Sequence, residues 1–245
     1  MNDPIRLLQN HRSIRKFLTT PIEQEKLDAI LHSGQMASTS SNMQAYSVIG
    51  VTDAELKKRL ALLCGNQAYI EQCPIFLVWC ADLHRLSAAS EMHGTEAQTD
   101  TTEHFIIATV DAALAAQNAA VAAESLGLGI VYIGGIRNRI AEVAELLKLP
   151  VLVYPVFGMC VGYPDQTPLM RPRLPLAAIF HQETYHTDNE LSAINEYDET
   201  TREYMLARSE GRANRSWSEQ MAERMASPSR LHMQSFLMKQ GFLRK

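Results

Sequence analysis

Phe105–Ala123 reads FIIATVDAALAAQNAAVAA. The stretch is nearly continuous in apolar residues, is broken by Asp111, Gln117 and Asn118, and is dominated by Ala rather than Leu. A membrane-spanning helix needs about 20 apolar residues with few charges. This stretch suits better a helix buried on almost every side of a soluble protein. Its small side chains allow close helix–helix approach, which makes it a candidate for the centre of a dimer.

Outward from this helix the chain alternates helices with short apolar strands. On its C-terminal side Gly127 stops it. A strand at 130–133 is closed by Gly134 and Gly135, a helix is expected from Arg139 to Leu147, and a buried strand from Val153 to Val161. On its N-terminal side, 87–102 has no clear period and reads as a mobile loop or lid. Ile75–Ala81 (IFLVWCA) suits a buried strand, 53–64 a helix, and 47–51 a strand. Thr20-Pro21-Ile22-Glu23 reads as a capping box opening a helix that runs to Gln35, and Asp3-Pro4 starts a short helix ending near Asn10. Beyond Ile179 helical patterns recur at 189–207 and 217–241, with Arg208, Arg212 and Arg215 in the break between them. Strands mixed with helices throughout define an α+β or α/β sandwich with a helical C-terminal extension.

Composition narrows the classes of function. A chain of 245 residues can form one large domain or two small ones. The formal net charge of −4 argues against nucleic acid as the main partner, since phosphate backbones are bound by basic faces. The four cysteines, at 64, 73, 80 and 160, form no CxxC pair and fit no zinc or iron–sulfur spacing. Cys80 and Cys160 sit in apolar runs that suit buried reduced thiols. The N-terminus lacks the apolar stretch of a signal peptide, so a cytoplasmic protein is expected. No metal site is expected from the scattered histidines, and HExxH, GxSxG and Walker A patterns are missing. Gly127-Leu128-Gly129 precedes a strand instead of following one, which excludes a dinucleotide-fold turn.

What remains is a spread of anion-binding and amide groups. His11-Arg12-Ser13-Ile14-Arg15-Lys16-Phe17 concentrates three cations, a hydroxyl and an imidazole after a short helix. Arg presents a planar fork of donors to phosphate oxygens. Further along are Ser38–Ser41, Gln67, Tyr132-Ile133-Gly134-Gly135, and Arg171 with Arg173. Each alone has an ordinary reading as surface, loop or strand end. Together they suit a phosphorylated heterocycle, with arginines on the phosphate, hydroxyls and an amide on the ring edges, and a glycine turn where no Cβ blocks a flat ring.

HRSIRKF (11–17), ASTSSNMQAYS (37–47), GNQAY (65–69), AQNAAVAAESLGLGIVYIGGIRN (116–138), FGMCVGYPDQ (157–166) and RPRLP (171–175) together resemble the nitroreductase superfamily. More narrowly they resemble its oxygen-insensitive, type-A branch of nitroreductases and NAD(P)H–flavin oxidoreductases. The resemblance runs from about Pro4 to the C-terminus. It implies an α+β three-layer sandwich, with a central mixed sheet flanked by helices, in an intertwined FMN-containing homodimer whose sites lie at the subunit interface. It also implies an FMN-binding core at 1–180 and a helical extension at 181–245.

By the same resemblance His11, Arg12 and Ser13 bind the FMN phosphate, and Arg15 reaches the pyrimidine end of the ring, where a cation favours the electron-rich reduced flavin. Thr39 and Ser40 match a hydroxyl loop that contacts flavin across the interface, and Gln67 matches an amide that pairs with the ring. Tyr132, Ile133, Gly134 and Gly135 match the segment beside flavin N5, and Arg171 and Arg173 match a basic pair on the phosphate. Arg171 replaces a common lysine and Thr39 a common serine, with charge and hydroxyl kept. Arg208 matches an arginine that grips NADPH, and a second basic position falls at Arg212 or Arg215. The implied chemistry is ping-pong hydride transfer from NAD(P)H, with NADPH favoured, to nitroaromatics, quinones or free flavin. No side chain is expected to act as nucleophile or acid–base catalyst, and neither nucleic acid nor membrane is an expected partner. The alternative is a protein that stores or senses FMN without turnover.

Overall fold

The computed structural model describes residues 2–245. Two compact units divide it: one runs to Pro168 and takes back Arg230–Lys245, and the other is Leu169–Ser229.

The first unit is built on four strands, β1 (Tyr46–Val51), β2 (Ile75–Asp82), β3 (Gly129–Ile133) and β4 (Val153–Gly162), in the spatial order β1-β2-β4-β3. All three pairings between these strands are antiparallel, so the mixed sheet expected from the sequence is antiparallel in its named strands. Among the described residues parallel pairing enters only at the β3 edge, where Ser13 bridges Ile130 and Ile14 N–H donates to Ile130 O at 2.8 Å. The two central strands are buried along nearly their whole lengths, which is why both read as unbroken apolar runs. A bulge shifts the β2–β4 register between Trp79 and Cys80, opposite Pro155, which has no N–H for the ladder.

Alternation along the strands assigns the two faces. Phe76, Val78, Cys80, Val131, Ile133 and Cys160 point to one side. There they meet Leu60 and Ala61 of α3 (Ala54–Leu63), Ile70 of α4 (Ala68–Gln72) and Val143 of α7 (Ile140–Leu146). Ile75, Leu77, Trp79, Ile130, Met159 and Val161 point to the other side. Their partners are Ile30 of α2 (Gln24–Gln35) and the alanines of α6 (Thr102–Ser125). Helix–sheet–helix layering is thus explicit in the side chains. By length and composition α6 could cross a membrane. Here Ala108, Ala112, Ala115, Ala116, Ala119, Ala120 and Ala123 are buried as one wall of the core. Its other side leaves Ile106, Val110 and Leu114 between 42% and 48% exposed, one turn apart, so within one chain the helix is buried along one side and not, as expected from its sequence, on almost every side.

Three local expectations give way. The capping box at Thr20 does not form, and α2 starts at Gln24 without a side-chain cap. Tyr163 donates its phenol to the Glu23 carboxylate at 2.6 Å, with Lys26 beside it at 3.3 Å, so this side chain serves a distant contact. The first six residues of the anticipated 87–102 loop are helical: α5 spans His84–Met92, begun where Asp82 accepts the His84 and Arg85 N–H groups. The 217–241 pattern is two helices, α9 (Trp217–Met225) and α10 (Met233–Lys239), broken around Pro228. With α10 the chain returns to the first unit, burying Phe236, Leu237 and Phe242 beside Tyr154.

In the second unit, α8 (Glu190–Arg208) and α9 hold each other through Tyr197 against Trp217 and through Asp198, which accepts from Ser218 N–H at 2.8 Å. Burial pushes the Asp198 carboxyl up, but these bonds outweigh it and hold the group below the usual range.

Candidate functional site

The basic run of 11–17 is fixed by the sheet edge. Ser13 and Ile14 lie against Ile130, while Phe17 bridges Pro164 and Lys16 O accepts from Asp165 N–H at 2.9 Å. Ile14 and Phe17 point inward and are buried, so the polar members between them face outward. The close fit depends on Gly129, where a Cβ would come within 2.4 Å of the Ile14 side chain. Lys16 and Phe17, for which the sequence suggested no part, therefore anchor the run.

Within this run, His11 Nδ1 lies 2.6 Å from Glu124 Oε1 at the end of α6. Arg12 lines a cleft of about 270 Å³ together with Asn10, Glu124, Gly129 and Gln166, and its Nε is buried with no hydrogen-bond partner among the described residues. An orphaned buried guanidinium nitrogen is costly unless something accepts from it.

A second cluster forms at the end of β3. The 3-10 turn Gly134–Arg137 presses onto the C-terminus of α3, so that a Cβ on Gly135 would lie 2.2 Å from Gln67 Nε2 and 2.3 Å from Cys64 O. Gln67 Nε2 donates to Cys64 O at 2.6 Å, and Tyr69 donates its phenol to Gln67 Oε1. One N–H and one lone pair of the amide remain for another partner. Burial raises the Tyr69 phenol, with the Arg15 charge acting against it, so Arg15 belongs to the same neighbourhood as Gln67 and Gly135. Tyr69 lies inside the GNQAY motif and was not singled out by sequence reasoning. Tyr132 packs edge-on to Phe157 at 5.1 Å, and burial followed by the Glu124 charge pushes its phenol upward. Ile133 is buried in the core, leaving only its backbone for any ligand.

Thr39 and Ser40 lie elsewhere. Asp111, 1% exposed in the middle of α6, accepts Ser40 N–H through Oδ1 and Ala45 N–H through Oδ2, each at 3.0 Å. Between these anchors Ser41, Asn42 and Gln44 all adopt positive φ. Asp111 was visible only as an interruption of the apolar stretch. Glu124, which holds His11, stands on the same helix, about 20 Å further along its axis at 1.5 Å per residue. One chain therefore does not bring Thr39 and Ser40 to His11.

Arg171, Arg173, Arg208, Arg212 and Arg215 belong to the second unit. Arg173 donates to Arg171 O at 2.8 Å, Arg212 folds back on Ser209 O, and Arg215 pairs with Glu223. Arg208 has no side-chain partner among the described residues. All four cysteines are free and buried, and the described residues hold no cluster of potential metal ligands. A cleft of about 660 Å³ beside β1, lined by His32, Tyr46 and Arg85, contains none of the expected site residues.

Residues 8–163 match the model of the Nitroreductase family, and 171–245 match that of the Nitroreductase family, C-terminal domain. The chain belongs to the nitroreductase family. It is 43% identical over 246 residues to the FMN reductase (NADPH) of Bacillus subtilis, covering 99% of each chain. It is 39% identical over 242 residues to the oxygen-insensitive NADPH nitroreductase of Salmonella typhimurium, again covering 99% of each. Among solved structures, the NADPH:FMN oxidoreductase of Vibrio harveyi, complexed with NAD+, superposes with a TM-score of 0.92 at 40% identity, covering 100% of both chains.

Proposed function

We propose that the chain is an FMN-dependent oxidoreductase that takes reducing equivalents from NAD(P)H and passes them to nitroaromatics, quinones or free flavin. The relatives are named as reductases, which supports turnover over storage. The residues fit the cofactor on their own chemistry. The observation that carries the reading is Arg12 Nε, buried and without an acceptor beside a cleft at the sheet edge. A phosphate supplies the acceptor it lacks. Gly135 closes tightly onto Gln67 and Cys64, which holds the Gln67 amide against the 134–137 turn.

FMN, when bound, supplies the ring that accepts hydride from the nicotinamide and hands electrons to the second substrate. His11, Arg12 and Ser13 hold the phosphate, and Arg171 and Arg173 are assigned to the phosphate by the resemblance of RPRLP alone. Arg15 places a fixed cation toward the pyrimidine end, where it favours negative charge. Thr39, Ser40, Gln67 and the backbone of 132–135 position the ring, and no side chain is assigned acid–base work. The protein is a homodimer in which Thr39 and Ser40 serve the partner's site. Their distance from His11 along α6 and the exposed stripe Ile106, Val110 and Leu114 support that arrangement. NADPH is preferred, with Arg208 as the arginine still free to meet its 2′-phosphate, since Arg212 and Arg215 are engaged within the chain. Four buried free thiols fit a cytoplasmic location.

The deciding measurement is direct. Purified protein should be yellow and should oxidise NADPH when given a nitrofuran, a quinone or free FMN. Colourless protein that stays inactive after FMN is added defeats the reading, and yellow protein that never turns over restores the storage alternative. Arg15→Ala should slow reduction of the bound flavin by about tenfold or more, the loss of one charge-assisted contact. Stopped-flow traces of flavin bleaching by NADPH give this value, and a wild-type rate removes Arg15 from the ring.

A further inference from the structure

The Glu124 carboxylate is an anomaly in a site built for an anion. Its side chain is only 14% exposed, it lines the same cleft as Arg12, and it stands 2.6 Å from His11 Nδ1. Left unpaired there, it would repel a phosphate and would lack compensation for its own burial. A contact this short between a carboxylate and a ring nitrogen requires a proton on Nδ1, because a carboxylate only accepts. With Nδ1 committed to Glu124, Nε2 is the one polar ring atom left for a ligand, and the His11 side chain is 31% exposed.

We propose that Glu124 is a positioning residue for the flavin phosphate, holding His11 by Nδ1–H so that Nε2 faces the phosphate and donates to it when the ring carries its second proton. The arrangement is that of a buried carboxylate orienting a histidine whose far nitrogen does the binding. Glu124 then helps to hold an anion that it could not itself approach. The inference rests on the assignment of His11, Arg12 and Ser13 to the phosphate. It goes beyond that assignment by naming the residue on α6 that makes His11 competent.

The test compares two flavins that differ only in the phosphate. Apoprotein of the wild type and of Glu124→Gln is titrated with FMN and with riboflavin, following flavin fluorescence. Glu124→Gln keeps the shape and removes the charge. It should weaken FMN binding by about tenfold while leaving riboflavin affinity within about twofold, as the loss of a charge-assisted contact to the phosphate alone. An equal loss for both flavins, or no loss for either, overturns the proposal. In a His11→Gln background the same substitution should cost nothing further, and a persistent loss there also overturns it. Should Glu124→Gln fail to fold, Glu124→Asp, which keeps the charge at altered reach, decides the question by the same FMN-to-riboflavin ratio. Wild-type protein that binds the two flavins equally well overturns the phosphate assignment itself, and the role of Glu124 with it.

Discussion

Gly135→Ala should yield protein with less than about a tenth of the wild-type flavin content and a thermal midpoint lowered by about 5–10 °C. The added methyl would lie 2.3 Å from the Cys64 carbonyl and 2.2 Å from the Gln67 amide. Only the amide can swing away. Cys64 caps α3, its N–H bonded to Leu60 O, so its carbonyl cannot retreat without distorting a helix packed on the sheet. Relief must come from the 134–137 turn, which would move the backbone assigned to the flavin. The ratio of visible to ultraviolet absorbance and a thermal melt measure both effects. Gly134→Ala is the control for stability, because its Cβ would meet the Arg137 guanidinium at 3.3 Å and no backbone, a far milder contact than that at Gly135. A Gly135→Ala protein with full flavin content and an unchanged midpoint removes the turn from the site.

Asp111→Ala should cost about 3–4 kcal/mol, close to 10 °C in a chain of this size, and should free the 39–45 loop. Two main-chain N–H groups lose charged acceptors at once, and the carboxylate that served them is almost fully buried. Asp111→Asn keeps one acceptor and should lose about half as much. Amide exchange localises the effect: Ser40 and Ala45 should exchange much faster in the variant, while amides in β2 and β4 exchange as before. Uniform acceleration across the sheet would mean that Asp111 serves global stability and not the loop. The same loop carries Thr39 and Ser40, so reduced flavin retention should accompany the local loosening.

The elements were legible wherever local pattern and burial agree. IFLVWCA reads as a buried strand because both faces of β2 are covered, and the alanines of α6 read as a core helix because they are one. Local pattern misleads where a side chain answers a distant partner. Glu23 resembles a capping residue, but its carboxylate is taken by Tyr163, far away in sequence. Asp82 starts α5 in a stretch that lacks periodicity of its own. The site followed the same division. Its motif residues could be picked out by type and order, whereas Asp111, Glu124 and Tyr69 act by supporting those residues across long sequence separations. No spacing rule announces such partners. A lone acid in an apolar helix was the one visible trace.

Because Asp111 and Glu124 ride on one helix, α6 works as a ruler between the two loops that they hold. Its graduations are helical turns, indifferent to the lengths of the connecting segments. Insertions in the exposed stretch after α5 leave this spacing untouched. One residue added between Asp111 and Glu124 would turn one acid about 100° relative to the other, since 3.6 residues complete a turn. Drift in this lineage is therefore expected to accumulate in loops and in single side chains, while the length of this segment stays frozen.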